Sequence, residues 1–272
     1  MSHALNDKRV TQPAAFFVPH GAAFEATELT RGPWHPDFQH AGPPSALLAR
    51  SLEQLAGDTF SLSRVTVEIL KPIPIARLVT SASALRAGRK VQWLRAELKS
   101  VDGTTLAHAS AVAIRKAEVP VPTPTAAARE CPPGPEASKP FGFPFFSTDV
   151  GYHTGMELRI AQGEWGSGAI AMWMRMRQPL VLGEAPTPLQ RVMTAADSGN
   201  GVSLCLDLRH YSFVNPDLTV YLHRAPVGEW VCLDARTIPQ GGGRGITDTR
   251  LLDEQGEIGR SNQSLIIEAR GA

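Results

Sequence analysis

The chain has 272 residues, 43% of them hydrophobic and 19% charged, with a formal net charge of +1. That balance excludes disorder, leaves room for one large domain or two smaller ones, and gives no reason to expect nucleic acid or an anionic membrane as a partner. No apolar run approaches the roughly 18 residues needed to cross a bilayer.

Three cysteines, Cys131, Cys205 and Cys232, form no Cys-x-x-Cys pair, and an odd count argues against a disulfide framework. The N-terminal stretch shows no sustained apolar run of the signal-peptide kind after its charged residues. The expected compartment is therefore the cytoplasm.

The first predicted helix is "GPPSALLARSLEQL". Gly42, Pro43 and Pro44 suit a first helical turn, and Leu47, Leu48, Leu52 and Leu55 recur at helical spacing. Next comes "RVTVEILKPIP", in which Val65, Val67 and Ile69 alternate with Thr66, Glu68 and Leu70, the period of a half-buried strand. A longer stretch from Val79 to Arg115 reads as strand, Gly turn, strand, Asp-Gly turn, strand.

Residues 117–152 hold eight of the 22 prolines and cannot be helix or inner strand over most of their length. They read as a linker between two domains, residues 1–116 and 153–272, with the apolar end "FGFPFF" packed against a domain.

The second half repeats the order of the first. "TPLQRVMTAAD" predicts a helix with Thr187 as N-cap, Pro188 at the first position and Gln190 in the capping-box slot. "DLTVYLHRAPV" predicts a strand with Leu218, Val220 and Leu222 on one face, and "WVCLDARTIPQGGGRGITDTRLLDEQGEIGRSNQSLIIEAR" a meander. Thr66 to Gly103 and Thr219 to Gly256 are the same distance in sequence. A repeat of this size argues for two copies of one domain. The expected class is α+β, a double hot-dog in which each antiparallel sheet wraps one central helix.

Asp197 stands out in this frame. Leu189, Met193 and Asp197 are four apart and share a helix face, so a carboxylate is aimed where two apolar side chains enter the sheet. On the last strand Gln263 shares a face with Leu265 and Ile267 and is aimed inward too. Buried polar groups need partners, and a water bonded to both Asp197 and Gln263 is the expected one.

The segments "HAGPPSALLARSLEQL", "NPDLTVYLHRAPVGEW" and "GEIGRSNQSLIIEAR" resemble the acyl-CoA thioesterase II type, over roughly residues 22–116 and 153–270. The resemblance implies hydrolysis of an acyl-CoA thioester by a water held in the second repeat. It implies Asp197 as base or water activator, with Gln263 and Asn215 holding the water. Asn215 stands where the family has Thr, and an amide can still donate to or accept from a water.

The chemistry needs a base for water and donors for an oxyanion, and unpaired N–H groups at a helix start are natural donors. With prolines at 43 and 44, Gly42 gives room for close approach and the N–H groups of Ser45 and Ala46 come forward. His40 is expected beside the pantetheine channel, and Arg244 in "QGGGRG" at the CoA phosphates. The implied ligand is acyl-CoA, with no cofactor beyond the CoA of the substrate. No metal is expected, since the histidines lack ligand spacing. A homo-oligomer is possible.

Two other readings carry different outcomes. Hot-dog dehydratases also set a His before a helix start and an acid on a facing helix, which would pair His35 or His40 with Asp197. A non-catalytic acyl-CoA-binding protein would leave Asp197 blocked.

Overall fold

A computed structural model describes residues 13–122 and 129–270. The remaining parts of the expected first domain, linker and C-terminus lie outside the described residues. The first half contains β1 (Phe17–His20), β2 (Ala23–Ala26), α1 (Gly42–Ala56), β3 (Phe60–Ile69), β4 (Arg77–Ala87), β5 (Val91–Ser100) and β6 (Thr105–Arg115). The second contains β7 (Lys139–Phe141), α2 (Tyr152–Gly155), β8 (Met156–Gly163), β9 (Ala169–Met176), α3 (Pro188–Ala196) and α4 (Gly199–Val202), then β10 (Tyr211–Val214), β11 (Asp217–Leu222), β12 (Trp230–Gln240), β13 (Arg244–Asp253) and β14 (Gly256–Ala269).

The strands form one sheet in the order β1-β2-β4-β5-β6-β3-β11-β14-β13-β12-β9-β8-β7, with β10 added beside β14. All of these pairings are antiparallel. Helix α1 packs on β3–β6, α3 packs on β9, β11 and β12, and the two helices pack on each other.

The seam between the halves is the β3–β11 pair. Thr66 faces Thr219 there, with Val65 opposite Val220 and Val67 opposite Leu218. These are the positions that the expected repeat aligns, and the two strands pair about Thr66–Thr219. Such self-complementary pairing is the register of a two-fold contact. The two repeat glycines, Gly103 and Gly256, both have φ in the left-handed region, +90° and +117°, where a Cβ would be strained. They turn β5 into β6 and β13 into β14.

The helices bury the predicted faces, with one exception. Leu47, Leu48 and Leu52 are fully buried, each contributing about 1.5–3 kcal/mol, but Leu55 is 40% exposed. It lies near the helix end, where Gly57 closes the last turn through its N–H to Glu53 O. On α3, Thr187 caps Gln190 N as expected, but the Gln190 side chain leaves the capping-box position and donates to Glu53 of α1 at 3.2 Å.

The Pro-rich stretch is not free chain over its described length. Lys139–Phe141 pairs with β8 at the edge of the sheet, where proline is tolerated. Pro133 O accepts from Trp173 Nε1 and Pro135 O from Arg159. Trp173 and Trp230 are buried in a small outer cluster, whereas Trp93 is 39% exposed under the Arg86 guanidinium.

Candidate active site

A cavity of about 340 Å³ opens where the loop before α1, the end of β3, the α3–α4 junction and the β10–β11 turn converge. Its walls are mainly apolar and include Trp34, Phe38, Phe143, Phe145 and Phe146. His40, Asp197 and Asn215 supply the polar end.

Asp197 caps the C-terminus of α3 and is 3% exposed. Helix α3 runs from its Thr187 cap for two and a half turns, which carries Asp197 to the same inner face as Leu189 and Met193. Oδ1 accepts from Asn215 Nδ2 at 2.8 Å, and Oδ2 lies 3.1 Å from His40 Nδ1. Asn215 is fixed by a second bond to Asp217 O at 3.2 Å, which an Asx-type turn before Pro216 allows.

His40 precedes α1 and lies face to face with Tyr152, ring centroids 3.8 Å apart and planes 3° from parallel. Gly42 N–H donates to His40 Nδ1 at 3.1 Å. Burial lowers the His40 pKa below its ordinary value, against the opposing pull of the Asp197 charge, so the imidazole is neutral at physiological pH. Tyr152 is fully buried; its hydroxyl donates to Thr194 O and pairs with Ser198 Oγ. Burial raises its pKa far beyond the physiological range.

Gln263 points inward and is 1% exposed. Its amide does not bond to the Asp197 carboxylate. Nε2 donates to Asp197 O at 3.0 Å and Oε1 accepts from Asn200 N at 3.1 Å. The amide expected to share a water with the Asp197 carboxylate thus has a protein partner at each end. Gln263 pins the α3–α4 junction, a tight place where a Cβ on Gly199 would sit 2.7 Å from Gln263 Oε1.

The helix-start expectations also change. Ser45 N–H donates to Ala41 O at 3.0 Å, so it is part of the helix and not a free donor. Gly42 is buried away from the cavity lining. A Cβ there would meet Thr194 O at 2.3 Å, so the glycine lets α1 and α3 approach. Ala41 lines the cavity. Arg244 is exposed at the start of β13 and is not a lining residue. It faces Ile266, which does line the cavity, and directly opposed residues share a sheet face. His35 lines the cavity too but is exposed, with its Nδ1 accepting from Asp37 N.

Sequence reasoning missed the aromatic wall and Tyr152. The apolar "FGFPFF" run was the available signal for Phe143, Phe145 and Phe146; nothing local marked Tyr152. Among the described residues, no group of three or more His, Cys, Asp or Glu side chains is placed to hold a metal ion, and no helix is long and apolar enough to cross a membrane.

A large antiparallel sheet with few helices, and a cavity that carries one buried acid, fit a hot-dog fold. Residues 30–114 match the acyl-CoA thioesterase N-terminal domain, and residues 128–267 match the acyl-CoA thioesterase C-terminal domain. The chain belongs to the acyl-CoA thioesterase family and is a thioester hydrolase acting on acyl-CoA.

Solved structures share the fold at low identity. A hot-dog protein of unknown function from Alicyclobacillus acidocaldarius is 17% identical with a TM-score of 0.73, covering 94% of this chain and 97% of its own. A protein assigned as a thioesterase II from Thermobifida fusca is also 17% identical with a TM-score of 0.73, covering 94% and 96%. The acyl-CoA thioesterase II from Mycobacterium marinum is 14% identical with a TM-score of 0.62, covering 92% and 93%. No curated protein matches the chain in sequence.

Proposed function

We propose that the chain is a double hot-dog thioesterase in which Asp197 activates a water for attack on the acyl-CoA carbonyl. The observation that carries this reading is a buried carboxylate at the polar end of an otherwise apolar cavity, oriented by Asn215 and with the His40 ring 3.1 Å away. A carboxylate oriented by an amide donor and shielded from bulk water is pre-organised as a base.

Asn215 orients Asp197 and the water. Gln263 positions the main chain that carries Asp197. The developing oxyanion is received beside Ala41, the residue at the start of α1 that lines the cavity, with the positive end of the helix dipole behind it. The acyl group lies against Phe143, Phe145 and Phe146. The pantetheine arm leaves past Ile266, which brings the CoA phosphates towards Arg244. Thioester hydrolysis asks for water, a base and oxyanion donors, so the only coenzyme in this scheme is the CoA of the substrate.

The double hot-dog reading is supported by the Thr66–Thr219 pairing, in which equivalent positions meet about one point. On that reading residues 1–116 and 153–272 are the two copies and the chain carries its own pseudo-dimer. A cytoplasmic location and assembly of the pseudo-dimer into a homo-oligomer complete the proposal.

The test is thiol release from short, medium, long and aromatic acyl-CoAs by wild type, Asp197→Asn and Asn215→Leu. Release by wild type and loss of about two orders of magnitude in Asp197→Asn are expected. Equal rates in wild type and Asp197→Asn would show that Asp197 is structural. Turnover of an enoyl-CoA without thiol release would favour the dehydratase reading on His40 and Asp197.

A further inference from the structure

We propose that Asn200 is a second catalytic residue: its side-chain amide donates to the oxygen of the thioester carbonyl and holds the negative charge that gathers there during attack. The proposal rests on the reading of Asp197 as the base.

Asn200 lines the cavity and is 6% exposed. Its main-chain N–H is given to Gln263 Oε1, but its side-chain amide hydrogen-bonds to none of the described residues. The polar side chains around it are committed elsewhere. Asn215 Nδ2 donates to both Asp197 Oδ1 and Asp217 O. Gln39 Nε2 donates to Pro74 O, and the Ser198 hydroxyl pairs with that of Tyr152. Buried amides are hydrogen-bonded as a rule, so one left open on a cavity wall marks a place for a polar group of the ligand.

The backbone sets this amide beside Asp197. Asp197 and Ser198 both have right-handed helical angles, and Gly199–Val202 is α4, so the chain makes one helical turn from Asp197 to Asn200. Residues three apart on such a turn share a face, with Cβ atoms about 5–6 Å apart. Gln263 fixes the two main-chain groups, since its amide donates to Asp197 O at 3.0 Å and accepts from Asn200 N at 3.1 Å.

A water activated by Asp197 stands about 3–3.5 Å from the carbonyl carbon it attacks. The oxygen of that carbonyl then comes within reach of the side chain one turn along. A carbonyl only accepts, and of the two ends of the amide only Nδ2 donates. The water oxygen bonds to the carbonyl carbon, its proton goes to Asp197, and the C=O π pair moves onto oxygen. The hydrogen bond from Nδ2 strengthens as that charge grows. A neutral donor suits the position, because a cation three residues from Asp197 would pair with the base.

Asn200→Leu keeps the shape of the side chain and removes the amide. Its kcat is expected to fall by about two orders of magnitude, with KM within about threefold of wild type. Two unreactive CoA analogues separate a carbonyl contact from a structural role. One replaces the thioester sulfur by methylene and keeps the carbonyl. The other is a thioether, with methylene in place of the carbonyl. Asn200→Leu is expected to bind the first about threefold more weakly than wild type does, and the second equally well. In infrared difference spectra the carbonyl band of the first should move to lower wavenumber on binding to wild type, and move less on binding to Asn200→Leu.

Full activity in Asn200→Leu, equal weakening of both analogues, or a fallen kcat with the band shift intact would overturn the proposal. The infrared measurement involves no turnover, so it is separate from the base: undiminished hydrolysis by Asp197→Asn would instead sink the underlying reading. Should Asn200→Leu fail to fold, Asn200→Asp carries the same test, with an acceptor of the same shape in place of the donor. It is expected to lose both kcat and the band shift, and a wild-type band shift in it would contradict a donor at this position.

Discussion

Thr219 Oγ1 donates to Thr66 Oγ1 at 3.1 Å across the central seam of the sheet, so each half touches the other through the same position of the repeat. The hydroxyl pair is part-buried, and removal of one partner leaves the other unsatisfied. Thr219→Val is expected to destabilise the fold by about 1 kcal/mol, and the double variant Thr66→Val/Thr219→Val to recover most of that loss. Urea unfolding of wild type, Thr66→Val, Thr219→Val and the double variant checks it. Additive losses would show that the seam does not depend on this pair.

Helix–helix contact sets the site one step away from the chemistry. A Cβ on Gly42 would lie 2.3 Å from Thr194 O, a main-chain atom that cannot swing aside. Gly42→Ala should therefore push α1 from α3 and destabilise by about 1–3 kcal/mol. Activity should fall with it, since Gly42 N–H also holds His40. An unchanged melting temperature in this variant would contradict the packing described.

Gln263 joins two main-chain groups at the α3–α4 junction. Gln263→Leu strands a buried carbonyl and a buried N–H, at a cost of about 1–3 kcal/mol for each. The loss should appear in kcat more than in KM, because the displaced group is the support of Asp197 and not an acyl contact. A variant with raised KM and full kcat would assign Gln263 to substrate binding.

Stability should depend on pH through His40. Its folded pKa is lowered by burial below the ordinary 6.5. As pH falls through 6.5, the unfolded chain binds this proton before the folded chain does, so stability falls. His40→Gln removes that contribution, and the gap between wild type and variant should narrow as pH drops below 6.5. Denaturant unfolding across that range measures it, and a gap independent of pH would mean that the folded site takes up the proton as readily as the unfolded chain.

Periodicity made much of this legible. Val65, Val67, Leu218 and Val220 read as inward-facing strand positions and are buried. Asp197 and Gln263 read as polar groups aimed inward, and both are. What periodicity lacks is the partner. It gives the face on which Gln263 lies but not that its amide meets Asp197 O and Asn200 N. His40 reads as a loop residue near a channel, because its contact with Asp197 joins opposite halves of the chain. Ser45 reads as a free helix-start donor until the Ala41 carbonyl is placed one turn back. Leu55 fits the helical spacing but falls past the point where the sheet covers α1.

The most direct test of water activation by Asp197 is a single turnover of an acyl-CoA in heavy-oxygen water, with enzyme in excess. Direct attack by an activated water puts the heavy oxygen into the carboxylic acid product in that first turnover and leaves Asp197 unlabelled. Label in the Asp197 side chain, with an unlabelled product, would mean that the carboxylate itself attacks the thioester, and would contradict the account.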